Sequence, residues 1–163
     1  MEKKSFPISV VMERIATSNR WQSEKWQLAG VLPESSESRL AKTLVDREGL
    51  LQKLHPGFLL VVYPDEAEGY FLNVTSPEPR AFVMWRMNED ETEALPHSVT
   101  LSYNEAARWM DAQEKVESVP MPDNIFSELV EWVEGNYRPP EKKARIRPKS
   151  FESKDGRYKG GLS

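Results

Sequence analysis

A change of pattern at Ser102 constrains the fold of this chain more than any other feature. Before it, short runs rich in β-branched and aromatic residues alternate with turn residues, as strands do. After it, apolar residues recur at helical spacing. Ser102 and Glu105 fit the S-x-x-E capping box. In that box the serine oxygen accepts an early N–H of the helix, and the glutamate reaches back to the serine N–H. Strands followed by helices indicate an α+β fold rather than alternating α/β units.

The strand reading covers "FPISVVMERI" from Phe6, "EKWQLAGVL" from Glu24, "GFLLVVY" from Gly57, "YFLNVT" from Tyr70, "RAFVMWRM" from Arg80 and "HSVTLS" from His97. "YPDEAEGY" reads as a connection, because Pro64, Asp65 and Gly69 supply turn chemistry, and "SPEP" as a turn. "PESSES" from Pro33 reads as a polar loop. The stretch from Arg39 to Leu54 is open: its spacing suits a helix, Gly49 interrupts it, and "KTLV" equally suits a short strand. The helices are "YNEAARWMDAQ" and, past the break at "VPMP", "PDNIFSELVEWVEGNY". In the second helix Ile125, Leu129, Trp132 and Val133 share one side, with Phe126 and Val130 widening the stripe, which is expected to bury against the sheet. The sum is an antiparallel β-sheet or small barrel of about five to seven strands, two C-terminal helices and a tail.

The tail is set apart by charge. Residues 1–137 carry thirteen Lys/Arg against twenty-three Asp/Glu, and residues 138–163 carry nine against three. The reading is one β-rich domain over 1–137 and a basic tail over 138–163, expected to be disordered when free because it is rich in Lys, Arg, Pro and Gly. Lys142, Lys143, Arg145, Arg147, Lys149 and Phe151 are its candidate contacts with an acidic partner. An acidic body makes nucleic acid an unlikely target, since a nucleic-acid module normally has a basic folded surface. The chain has no cysteine, which removes disulfides, thiol nucleophiles and Cys-based zinc sites. The N-terminal apolar run is interrupted by Pro7 and Ser9, and no run is long enough to cross a bilayer, so a cytoplasmic protein without a membrane segment is expected.

Few residues carry chemistry. Trp21 and Trp26 are five positions apart, which puts them on opposite faces of a strand or ~140° apart on a helix. Neither arrangement makes a clamp, so Trp26 reads as core and Trp21 as a cover for the loop leading into that strand. His55 and His97 sit beside prolines, far apart, and make a poor start on a zinc site. The acidic run Glu89, Asp90, Glu91 and Glu93 lacks the alternation and central glycine of a calcium loop. Asp65, Glu66 and Glu68 could serve acid–base chemistry only if one were buried beside a partner base. No glycine-rich phosphate loop and no G-x-S-x-G elbow is present. No catalytic residue, metal ligand or cofactor is predicted, and oligomeric state is left open.

The blocks "RWQSEKW", "DEAEGYFLNVTSPEPRAFVMWR", "VTLSYNEAARWMD" and "VESVPMP", with the terminal "RPKSF", resemble an uncharacterised bacterial family known only as a domain of unknown function. Its genes typically lie beside those of formate dehydrogenase and its accessory factors. The resemblance implies a role in making or assembling a molybdenum or tungsten enzyme. Some members bear the label molybdopterin-guanine dinucleotide biosynthesis protein A. A guanylyltransferase of that kind opens on a glycine-rich loop, whereas "SFPISVVMERIATSNRW" has no glycine. The expectation is therefore a non-enzymatic accessory factor that binds a formate dehydrogenase subunit or maturation factor. Its candidate contacts are Trp21, Trp85, Arg86, Tyr103, Arg108 and Trp109, residue types that dominate interface energetics. The alternatives are an enzyme or cofactor binder of molybdenum cofactor metabolism and a nucleic-acid module using the tail.

Overall fold

A computed structural model describes residues 4–34 and 40–140 of the chain. Two antiparallel sheets and three α-helices make an α+β fold among these residues. The first sheet holds β1 (Ser5–Ala16), β2 (Glu24–Pro33), β3 (Lys42–Arg47) and β4 (Leu50–Val61) in the order β2-β1-β4-β3. The second holds β5 (Arg80–Met87), β6 (Ala94–Thr100) and β7 (Lys115–Pro120) in the order β6-β5-β7. The helices are α1 (Ala67–Val74), α2 (Tyr103–Asp111) and α3 (Asp123–Asn136).

Alternation along the central strands builds one core. Ile8, Val10 and Met12 of β1 are fully buried and meet Ala81, Val83 and Trp85 of β5 in the same cluster. Ile125, Leu129 and Val133 of α3 complete it, as their helical spacing predicts; Trp132 is only partly buried and sets its ring edge-on to Tyr70 at 5.7 Å. Burial of such side chains contributes about 1.5–3 kcal/mol each and outweighs any single polar contact.

The open stretch before Leu54 is a hairpin: β3 and β4 are joined by Glu48 and Gly49, and Gly49 takes the positive φ of +84° that a tight turn requires. Two other segments depart from expectation. "YFLNVT" is not a strand; a 3-10 turn at Pro64–Glu66 runs into α1, which carries most of this block. Aromatic content suggested a strand, but Tyr70 and Asn73 lie one turn apart and both are buried, a helical placement enforced by tertiary contacts. "KVESVP" forms β7 between the two later helices, pairing with β5 from Arg80↔Pro120 to Trp85↔Lys115.

The sheets meet at two seams, β2 beside β7 and β4 beside β6. Neither seam carries a backbone ladder among the described residues. Both strands of the second seam are bulged. β4 holds one extra residue at Pro56 and Gly57 between the pairs Val10↔His55 and Ile8↔Phe58, with Gly57 at φ +92°. β6 holds one at His97, between Met84↔Ser98 and Trp85↔Pro96. Bulges bend a strand and end regular pairing, and they gather at sheet edges.

Candidate functional site

The carboxylates of "YPDEAEGY" are structural. Ser102 is fully buried; its Oγ accepts the Glu105 N–H at 3.1 Å and donates to Glu66 Oε1 at 2.7 Å. The other Glu66 oxygen accepts from Arg108 Nη2, and Glu68 accepts from Asn104 Nδ2 at 3.2 Å. Gly69 makes this approach possible: a Cβ there would lie 2.0 Å from Ser102 Oγ. One turn on, buried Asn73 donates to the carbonyls of Arg80 and Leu101, each at 2.7 Å, and accepts the Arg80 N–H at 2.9 Å. Tyr70 Oη accepts the Tyr63 N–H at 2.9 Å. Burial is the main reason that its phenol pKa rises to about 12. This junction ties α1 to α2, to the start of β5 and to the residue after β6.

The capping box is half made. The Ser102 N–H goes to Thr100 Oγ1 at 3.1 Å rather than to the Glu105 carboxylate. Glu105 instead lines an open cleft of about 400 Å³ at the β4–β6 seam, with Leu59, Val61, Tyr63, His97 and Trp109 among its other walls. No ion pair engages Glu105 among the described residues. At its far end the seam is pinned by Lys53 and Glu93 at 3.0 Å. Beside that pair, His55 Nε2 is buried with no hydrogen-bond partner. Burial pushes its pKa below 6.5; Glu93 pulls it up and Lys53 presses it down.

The other seam is fastened. Glu117 of β7 accepts the Trp85 Nε1–H at 2.7 Å and the Leu28 N–H at 3.4 Å, joining both sheets through one carboxylate. Among the described residues no group of three or more His, Asp or Glu side chains is placed to hold a metal ion, and no helix is long and apolar enough to cross a membrane.

A family described as "Protein of unknown function (DUF3305)" matches residues 7–147. The chain belongs to the DUF3305 family. No curated protein and no solved structure matches it. Two of the blocks that carry the family resemblance, "DEAEGYFLNVTSPEPR" and "VTLSYNEAARWMD", contain Glu66, Gly69, Asn73, Ser102 and Arg108, so in this DUF3305 chain they encode the α1–α2 junction.

The residues singled out from the sequence fall in different places on the DUF3305 fold. Trp109 lines the cleft. Trp85 is 5% exposed and belongs to the core, with Lys115 Nζ 4.8 Å from its ring centroid. Arg86 forms a two-pronged pair with Glu114 at 3.1 and 2.7 Å, which lowers the glutamate pKa and raises that of the guanidinium. Arg108 serves the Glu66 junction, and Tyr103 packs on Phe82 with ring centroids 5.4 Å apart. Trp21 covers nothing: it is 90% exposed at the β1–β2 turn, while Trp26 is partly buried against the core. Asn19 Oδ1 accepts the Trp21 N–H at 2.8 Å, and Thr17 donates its N–H to the Ser23 carbonyl at 2.9 Å, so the turn is bonded internally. Lys142, Lys143, Arg145, Arg147, Lys149 and Phe151 lie outside the described residues. Sequence reasoning missed Leu59, Val61 and Tyr63, and read His97 only as a turn residue and Glu105 only as part of the capping box. The signal was a proline beside each bulge, Pro56 in an apolar run and Pro96 before His97.

Proposed function

We propose that this DUF3305 protein is a non-enzymatic accessory factor that binds a protein during assembly of a molybdenum or tungsten formate dehydrogenase. The observation that carries the reading is Trp21, 90% exposed on a turn that its own hydrogen bonds hold in shape. Large aromatics are normally buried, and tryptophan is among the residues most enriched at the centres of protein interfaces. The formate dehydrogenase assignment comes from the family resemblance.

Affinity purification of the tagged full chain from its host, with mass spectrometry of the captured proteins, tests it. A formate dehydrogenase subunit or maturation factor is expected with the wild-type chain and reduced about tenfold or more by Trp21→Ala, as for truncation of an interface anchor. Recovery of neither class of protein overturns the assembly role. Equal recovery with Trp21→Ala overturns the role of the turn.

A further inference from the structure

We infer that the β4–β6 cleft takes an extended, basic segment of a partner polypeptide, which pairs as an added strand with the part of the β4 edge that turns away from β1. The inference deepens the protein-binding reading and rests on it.

The first support is backbone geometry. β3 stops pairing with β4 at Lys42↔Leu54, so beyond Leu54 no described strand lies on that side of β4. Val62 gives its N–H to Lys4 on the β1 side, and the alternate residues point the other way. Leu59 stands opposite Pro7, which has no N–H and whose carbonyl accepts from Glu34 on the β2 side. Leu59 therefore turns its N–H and C=O away from β1, into the cleft. Val61 does the same, and its carbonyl takes the Tyr70 hydroxyl at 3.4 Å. Across the cleft, β6 is the terminal strand of its sheet. From the Lys53–Glu93 pair to the cleft walls, β4 and β6 advance in the same direction. A strand added antiparallel to β4, the arrangement used in β-strand addition, would therefore run antiparallel to β6 as well, with β6 as a side wall.

The second support is charge. The body is strongly acidic, and Glu105, which the capping box would have engaged, faces the cleft without a cationic partner among the described residues. Trp109 offers an aromatic face beside it, and Leu59 is 51% exposed. A segment alternating aliphatic and basic residues matches this lining: arginine pairs with Glu105 and stacks on Trp109, and the aliphatic side chains cover Leu59.

The test uses the full chain and a synthetic octapeptide of alternating arginine and valine, followed by amide-resolved hydrogen exchange. Expected are saturable binding and about tenfold slower exchange at the Leu59 and Val61 N–H groups. Replacing the peptide arginines by glutamates, or methylating alternate backbone nitrogens, should weaken binding about tenfold or more. Glu105→Lys should reverse the charge preference. Leu59→Pro removes a donor that β1 does not use, so it should abolish peptide binding with an unchanged melting temperature; if it fails to fold, Glu105→Lys and the methylated peptide decide. No binding, protection elsewhere, or equal binding of the glutamate peptide overturns the inference. Protection that grows with protein concentration in the absence of peptide assigns the cleft to a second copy and also overturns it. Protection without peptide that disappears on truncation after Pro140 assigns the cleft to the chain's own C-terminal residues and overturns it too. If Leu59→Pro still captures the partner that Trp21→Ala loses, the protein-binding reading stands and the cleft falls.

Discussion

Where β2 runs beside β7, a single carboxylate bonds to both sheets; where β4 runs beside β6, one ion pair holds one end and a cleft opens beyond it. The difference lies in a few residues. Glu117 sits on a regularly paired strand and points its oxygens at Trp85 and Leu28. At the open seam both backbones are bulged, β4 at Gly57 and β6 at His97, whereas at the fastened seam β2 is bulged at Ala29 and β7 is regular. The same two sheets thus make one joint for stability and one that exposes backbone donors and acceptors. Open strand edges invite pairing, and natural proteins usually blunt them. An edge left open beside a carboxylate, Glu105, that has no ion-pair partner among the described residues is suited to recognition.

The contrast can be broken most directly at the closed seam. Glu117→Ala leaves the Trp85 and Leu28 N–H groups without their acceptor, and is expected to cost about 3 kcal/mol, the range for losing hydrogen bonds to a charged, part-buried group. Urea unfolding with an unchanged slope and a lower midpoint would show it. An unchanged midpoint would mean that the seam is held by packing alone.

Gly69→Ala is the next largest expected effect. The new methyl would meet Ser102 Oγ at 2.0 Å, so α1 and α2 must part, at about 2 kcal/mol on the scale of overpacked interiors. Because α2 supplies Glu105 and Trp109, the open seam should also lose its peptide affinity. A stable Gly69→Ala protein with normal binding would show that the cleft wall is not set by this junction.

The smallest effect sharpens the picture at the pinned end of the open seam. Burial holds His55 neutral, with a folded pKa below its ordinary 6.5. As pH falls, the unfolded chain therefore binds the proton first. The contribution of His55 to stability is complete above about pH 6.5 and is lost as pH drops through that value toward the folded pKa. Thermal melts from pH 7.5 to 5 should show a decline that His55→Gln flattens. A Lys53→Met chain should retain the decline in weakened form, because it removes the cation pressing on His55 and frees Glu93 to favour the proton.

Much of this was legible in the residues. β1, β2 and β5 announce themselves by β-branched and apolar content, α3 by its stripe at Ile125, Leu129 and Val133, and α2 by the serine that caps it. These are local signals, and the structure follows them. α1 was not legible, since what makes a helix of "GYFLNV" is the set of bonds from Asn73 to Arg80 and Leu101, partners chosen by the folded chain. β7 is short and enclosed by turn residues, so its pairing with β5 shows only in three dimensions. The cleft belongs to the same class. Its walls come from β4, β6 and α2, and the capping box stays half made because Thr100 takes the Ser102 N–H.

Glu117 and Leu28 are 89 positions apart in the chain, and this separation sets an order of events during synthesis. The β1–β2 and β3–β4 hairpins can form as soon as their residues leave the ribosome, because their closing turns are short. The joint between the sheets must wait until β7 has been translated, and α3, whose Leu129 fills the same core, comes later still. A growing chain therefore carries a four-stranded sheet with an uncovered apolar face from the emergence of β4 until β7 and α3 follow. A mild slowdown of translation between Val61 and Asn136 would lengthen that exposure.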